Sequence, residues 1–145
     1  MKTDEFLSQL DEAKIEAAIA EAEARTSGEI RVWVSHKTIA DAVERAALRF
    51  EKLGMRKTRE RNAVLLYFAP LSQKFAVIGD SAIHAKCGQP FWEEVAAEIR
   101  EQLRAQHFTE AVVGAVRKVG DVLARHFPHR GDDDRDELPN TIVRD

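Results

Sequence analysis

The sequence lacks the features that would cross-link a fold or carry it through a membrane. It contains a single cysteine, Cys87, which excludes an intramolecular disulfide and is typical of a reducing compartment. No apolar run approaches the roughly 20 residues that span a bilayer. The charged, amphipathic N-terminal segment lacks the apolar core of a signal peptide. We therefore predict a cytoplasmic protein without membrane insertion.

An excess of positive charge is also missing. Lys and Arg number 22 against 25 Asp and Glu, which gives a formal net charge of −3 and no electrostatic reason to expect nucleic acid as a partner. The sequence has no GxSxG nucleophile motif, no glycine-rich phosphate loop and no HExxH metal motif. These absences leave catalytic residues unknown.

What the sequence does contain is a central apolar stretch within residues 61–80. The runs 64–68 and 75–78 are each of strand length, rich in β-branched or aromatic residues, and bounded by polar residues. Strands that are apolar on both faces must be covered by helices on both faces. The linker 70–73 is too short for a crossover helix, so the two runs should form an antiparallel hairpin.

Apolar periodicity predicts the other elements. A strand is expected over 29–35, and helices over 4–26 with a break near Asp11, over 39–53, over 81–86, from Pro90 onward and from an N-cap at Thr109 onward. The fold is then an α/β protein, a three-layer α/β/α sandwich with two C-terminal helices. Its small mixed sheet combines a right-handed βαβ unit with the hairpin. Residues 1–127 should form a single domain, and 128–145 a mobile polar tail.

The predicted strand directions bring polar residues to one edge of the sheet. Glu29, Asn62 and Asp80 should meet there, and their oxygens are hard ligands of the kind that calcium or magnesium takes. Four further side chains should lie beside them and are candidates for binding an anion or a protein partner: Arg59, Arg61, Ser81 and His84.

Each of these residues also has an ordinary structural interpretation. Asp80 precedes Ser-Ala-Ile and suits a helix N-cap, Asn62 suits a turn, and Glu29 suits a surface ion pair with Arg31 or Arg61. A row of basic residues in a loop is more often simply exposed. His84 and Cys87 lie one helical turn apart, but two residues do not make a zinc site.

Four ordered segments resemble the TPM domain family, and the resemblance runs from about residue 11 to residue 127. They are residues 26–32 (TSGEIRV), 50–55 (FEKLGM), 62–66 (NAVLL) and 78–80 (IGD). The resemblance implies a mixed sheet between helices and is greatest to a short, soluble bacterial branch. Some family members are described as acid phosphatases of the thylakoid lumen, and related domains hold calcium through acidic loop residues.

Two functions follow as hypotheses. In the first, the chain is a non-catalytic, TPM-type accessory module that binds a protein partner or a divalent cation, Ca²⁺ or Mg²⁺. In the second, it is a weak, metal-assisted acid phosphatase, in which the ion would polarise the phosphoryl group and the basic residues would hold its oxygens.

Overall fold

The computed structural model of the protein describes residues 1–129 and 140–145. Within these residues, five helices and four strands follow one another along the chain: α1 (Thr3–Ser8), α2 (Glu12–Glu23), β1 (Glu29–Val34), α3 (Ala42–Lys52), β2 (Ala63–Ala69), β3 (Lys74–Gly79), α4 (Ser81–Arg104), α5 (Phe108–His126) and β4 (Val143–Arg144). The predicted break in the first helix is present, and Asp11 caps α2 by accepting a hydrogen bond from the Lys14 amide at 3.1 Å.

The sheet has the order β3-β2-β1-β4. β1 runs parallel to β2, with Val32 opposite Leu66, and β3 runs antiparallel to β2, with Leu66 opposite Val77. The βαβ unit and the hairpin are therefore both present, and the prediction of a mixed sheet is confirmed.

Helices cover both faces of the sheet, as a doubly apolar central strand requires. Alternate residues of β2, including Leu66, point into a core shared with α1, α2, α4 and α5. The other residues of β2, including Leu65, share a second core with Phe50 of α3. Every residue of β1 and β2 is buried, so both faces of these two strands are covered. The three-layer α/β/α architecture is confirmed.

Two helix boundaries differ from the sequence prediction. The expected helices 81–86 and from Pro90 onward form one element, α4, interrupted at Gly88, whose φ of 73° lies in the left-handed region. Thr109 does not cap α5; the N-cap position is His107. The Thr109 hydroxyl instead accepts a hydrogen bond from the Asp11 amide at 3.0 Å and so links α5 to the start of α2.

The prediction of a mobile tail is wrong for its last residues. β4 pairs in parallel with Trp33 and Val34, and Ile142 is buried in the core. The Asp145 carboxylate accepts hydrogen bonds at 2.9 Å from the Ser35 hydroxyl and from the His36 amide. Ile142, Val143 and Arg144 follow a polar segment. Three residues are too few to show the apolar periodicity that would predict a strand. The rest of the predicted tail, residues 130–139, lies outside the described residues.

Within residues 1–129 and 140–145, every helix is too short or too polar to cross a lipid bilayer.

Candidate functional site

The predicted edge of the sheet forms where β1 and β2 begin and β3 ends. Glu29 lies opposite Ala63, and Val64 lies opposite Gly79. The Asp80 amide continues the ladder by donating to the Ala63 carbonyl at 2.9 Å. The structure therefore places Glu29, Asn62 and Asp80 at the ends of three neighbouring strands, on the one edge where the strand directions put them.

Asp80 is a buried carboxylate held at three points. Arg61 donates to both of its oxygens, from Nε to Oδ2 at 2.8 Å and from Nη2 to Oδ1 at 3.0 Å. The Ser81 amide donates to Oδ1 at 2.7 Å, so Asp80 is also the N-cap of α4, as the cap interpretation predicted. Burial raises the pKa of Asp80, but the hydrogen bonds from Arg61 and Ser81 outweigh it and hold the pKa below its ordinary value.

Arg61 meets this carboxylate from the solvent side. Its side chain is 43% exposed, whereas that of Asp80 is 2% exposed. Its backbone has a φ of 54°, in the left-handed region that residues with a β-carbon seldom adopt. The Ala82 amide donates to the Arg61 carbonyl at 3.0 Å. The hydrogen bond with Asp80 raises the pKa of Arg61, so the pair is fully charged at neutral pH.

Asn62 belongs to a second polar network at the same edge. Its Nδ2 donates to the Ser27 hydroxyl at 3.1 Å and lies 3.4 Å from Glu60 Oε2. The Ser27 hydroxyl in turn donates to Glu60 Oε2 at 2.5 Å. Asn62 is 1% exposed, so it joins the turn before β1 to the start of β2 rather than closing a surface turn.

Ser27 and Glu60 are not among the site residues that the sequence predicts. Both lie within two residues of a predicted one, Ser27 before Glu29 and Glu60 before Asn62. Their contact joins positions 33 residues apart, so no local sequence pattern reveals it.

Glu29 is buried rather than exposed, so its interpretation as a surface ion pair is wrong. Arg31, two residues along β1, is buried as well. Burial lowers the pKa of Arg31, and the negative charges of Glu23 and Glu29 oppose that effect. Glu23 also accepts a hydrogen bond from the Ile30 amide at 2.8 Å. The start of β1 is therefore a buried region of alternating charge.

The remaining candidate side chains, Arg59, Ser81 and His84, are exposed. His84 Nδ1 accepts a hydrogen bond from Trp92 Nε1 at 2.9 Å, which engages one of its two ring nitrogens. Cys87 donates to the Ile83 carbonyl at 3.1 Å, and burial raises the pKa of its thiol. The Cys87 thiol therefore stays protonated at neutral pH, which does not favour a zinc ligand.

Among the described residues, no group of three or more His, Cys, Asp or Glu side chains is arranged to hold a metal ion. The predicted set combines two carboxylates with an amide oxygen, so ligation of calcium or magnesium by Glu29, Asn62 and Asp80 stays a prediction. The fit is best at Asp80, because its carboxylate is ionised and fixed in position by the helix cap.

Comparisons with known proteins agree with the fold. A family model labelled TPM phosphatase and described as the TPM domain matches residues 1–122. A search of curated proteins found no match. Among solved structures, the chain is similar to the NMR structure of BA42 protein from the psychrophilic bacterium Bizionia argentinensis. The two share 37% sequence identity over 92% of each chain, with a TM-score of 0.84.

Proposed function

The chain belongs to the TPM domain family, and we propose that it is a non-catalytic binding module that takes a divalent cation, Ca²⁺ or Mg²⁺, at Asp80. The observation that carries this proposal is the unequal burial of one ion pair. Asp80 is a buried, ionised carboxylate, and the group that balances it is the half-exposed guanidinium of Arg61. Because the Asp80 carboxyl is already ionised, a metal cation can replace Arg61 without displacing a proton from it.

Replacement of Arg61 by a metal ion is physically reasonable because the Arg61 side chain is free to move away from Asp80 into solvent. Its exposed side chain can move into water, where a guanidinium is well solvated, whereas Asp80 is held by the α4 cap. Glu29 and Asn62 lie at neighbouring strand ends and would supply the further oxygen ligands.

A protein partner is the second ligand that this module would recognise. Arg59, Ser81 and His84 are exposed, and each lies close in the sequence to Arg61 or Asp80. Release of Arg61 by a cation would add a second guanidinium to this exposed set. A partner that presents carboxylates would then bind more tightly when the ion is present.

Competition between Arg61 and the ion supplies the test. Calcium or magnesium should raise the melting temperature of the wild-type protein in a concentration-dependent way, because the ion binds only the folded state. Asp80→Asn should abolish the shift, and Arg61→Gln should lower the ion concentration needed for it. Asp121→Asn, which removes an exposed carboxylate paired with Arg25, is the matched control and should leave the shift unchanged. An absent shift at millimolar ion in the wild type contradicts the proposal.

A weak phosphomonoesterase is the alternative, and the label of the matching family model favours it. Arg59, Arg61 and Ser81 would then hold phosphoryl oxygens beside the ion. Purified protein should in that case hydrolyse p-nitrophenyl phosphate, with the activity lost in Asp80→Ala and retained in Asp121→Ala. Ion binding without hydrolysis supports the binding module.

A further inference from the structure

The outermost strand of the sheet, β4, is short and adds to the edge of β1. Val143 lies opposite Trp33 and Arg144 lies opposite Val34, with the two strands parallel. Extended peptides bind to other proteins in the same way, by adding a strand to the edge of a sheet. Residues 142–145, the edge segment, therefore lie along β1 as a bound peptide would.

The edge segment contacts both faces of the sheet through neighbouring side chains. Ile142 is 6% exposed and belongs to the core that α1, α2, α4 and α5 share. Val143 packs against the other core, on the α3 side. A segment that slipped by one residue along β1 would lose both apolar contacts, so the groove along β1 selects the register of the segment that it binds.

A cluster of donors holds the carboxylate of Asp145, whose side chain is 10% exposed. The Ser35 hydroxyl and the His36 amide each donate to it at 2.9 Å. Arg49 Nη2 lies 3.4 Å from Oδ2 of Asp145, and Lys37 Nζ lies 4.0 Å from the same oxygen. An asparagine would accept some of these hydrogen bonds, but it carries no charge to balance the two cations. The cluster therefore favours an acidic side chain at this position.

The donors of this cluster all lie outside the edge segment. Ser35 and His36 directly follow β1, and Arg49 belongs to α3. The guanidinium carbon of Arg49 lies 5.0 Å from the centroid of the Trp33 ring, which fixes the guanidinium in place. Arg49 Nε is buried and has no hydrogen-bond partner among the described residues. The groove is thus built by β1 and α3, and it offers more donors than the edge segment uses.

The edge of β1 is closed to a longer strand. The Ile30 amide donates to the Glu23 carboxylate of α2 at 2.8 Å. This side-chain hydrogen bond takes the place of one that a longer added strand would make, and it protects the edge from further pairing. The groove therefore accepts a short extended segment at the end of β1.

We propose that the groove along β1 is a peptide-binding site for a partner protein, and that the edge segment fills it from within the same chain. The partner presents an extended segment with a β-branched apolar residue three positions before an aspartate, as Ile142 stands before Asp145. The edge segment is held by a short ladder, one buried isoleucine and one carboxylate. A contact of this size opens without unfolding of the rest of the domain, so a partner can replace it. The proposal is independent of cation binding at Asp80.

Fluorescence anisotropy with a labelled peptide tests the proposal. The peptide has the sequence of residues 141–145, TIVRD, with an amidated end, so that the aspartate is its one carboxylate. The full-length double variant Ile142→Ser, Asp145→Ser holds its own segment weakly and should bind the peptide saturably. The wild-type protein should bind it at least tenfold more weakly, because a segment of the same chain competes at an effective concentration on the order of millimolar.

Two results would overturn the site. One is the absence of saturable peptide binding to the double variant, and the other is equal affinity of the wild type and the double variant. Circular dichroism checks that the double variant is folded. If it is not, Asp145→Ser alone, which leaves Ile142 in the core, takes its place in the same comparison.

Changes in the peptide and in the groove locate the binding. A peptide with asparagine in place of the aspartate should bind the double variant at least tenfold more weakly. In the same background, Arg49→Gln should weaken peptide binding at least fivefold, because it removes a charge from the carboxylate cluster. Arg45→Gln, which changes an exposed arginine one turn earlier on α3, is the matched control and should leave binding unchanged. Equal affinity of the two arginine variants would contradict the proposal.

Sedimentation equilibrium of the wild-type protein separates a partner protein from a second copy of this chain. A monomer over the whole concentration range supports a separate partner. Dimers that dissociate when the TIVRD peptide is added would show that two copies exchange their edge segments, and they would overturn a separate partner as the occupant.

Discussion

The indole ring of Trp92 occupies the space that a side chain at Gly79 would need. A β-carbon on Gly79 would lie 2.4 Å from Cζ2 and 2.6 Å from Cη2 of Trp92. Gly79 is the last residue of β3, and Trp92 is a buried residue of α4 whose Nε1 donates to His84. The glycine thus lets α4 lie directly against the end of the hairpin and sets the position of the helix that Asp80 caps.

Gly79→Ala should therefore lower the free energy of unfolding by about 1–3 kcal/mol, the usual cost of overpacking a well-filled core. Gly114→Ala is the control, because a β-carbon there meets nothing within 4 Å, and it should stabilise α5 by about 0.5–1 kcal/mol. Urea denaturation measures both. A Gly79→Ala protein as stable as the wild type would show that Trp92 can move aside at little cost.

Leu66→Ala should lower the free energy of unfolding by about 2–5 kcal/mol because it opens a cavity in the middle of the sheet. Leu66 is completely buried in β2. Val77, its partner on β3, is only partly buried, so Val77→Ala should cost less. Leu71→Ala removes the same atoms from a 44% exposed side chain and should leave stability nearly unchanged. Equal losses in Leu66→Ala and Leu71→Ala would contradict this assignment of the core.

Asp80 should make stability depend on pH at the acidic end. Its pKa in the folded state lies below the ordinary value of 3.8, so the unfolded chain takes up a proton at a higher pH than the folded protein does. The stabilisation by Asp80 is therefore complete above that ordinary value and is lost as pH falls through the lower folded pKa. Urea denaturation should find Asp80→Asn less stable than the wild type at pH 7.

That difference should shrink below pH 3.8 as the wild-type carboxylate takes up its proton. Asn can still cap α4, so circular dichroism should show an unchanged fold. A stability difference that stays constant down to the acid transition would assign the effect to packing rather than to charge.

The C-terminal residues should contribute to stability, contrary to the expectation of a mobile tail. Ile142→Ala should lower the free energy of unfolding by about 1–3 kcal/mol, toward the lower end of core substitutions because the segment is short. Thr141→Ala changes the exposed neighbouring residue and should have almost no effect. Thermal unfolding of the two variants side by side decides the matter, and identical melting temperatures would mean that Ile142 is not part of the core.

Asp145 supplies a second readout for the same segment. Burial raises the pKa of Asp145, but hydrogen bonds from the His36 amide and the Ser35 hydroxyl, together with the charge of Arg49, hold it below its ordinary value of 3.8. The stabilisation by Asp145 should therefore be present above pH 3.8 and be lost as pH falls through the folded pKa. Asp145→Asn should abolish this part of the acid sensitivity.

The architecture could be predicted from the sequence because the patterns that indicate each strand, helix and turn lie within short segments of the chain. Residues 64–68 are apolar at every position, which requires cover on both faces, and the four-residue linker after Ala69 permits only a hairpin. Strand directions then follow from connection lengths, and they bring Glu29, Asn62 and Asp80 to one edge. The cap role of Asp80 is local too, because it depends on the residues that directly follow it.

Tertiary structure alone decided which side chains meet. The two-point contact of Arg61 with Asp80 joins residues 19 positions apart, and the Ser27–Glu60 hydrogen bond joins residues 33 positions apart. The ring contacts among Phe6, Phe68, Phe75 and Phe108 join residues from position 6 to position 108, and β4 pairs with a strand about 110 residues before it. Apolar periodicity predicts whether a residue is buried. Which side chain it then contacts depends on how whole helices and strands pack, and that packing is determined by residues throughout the chain.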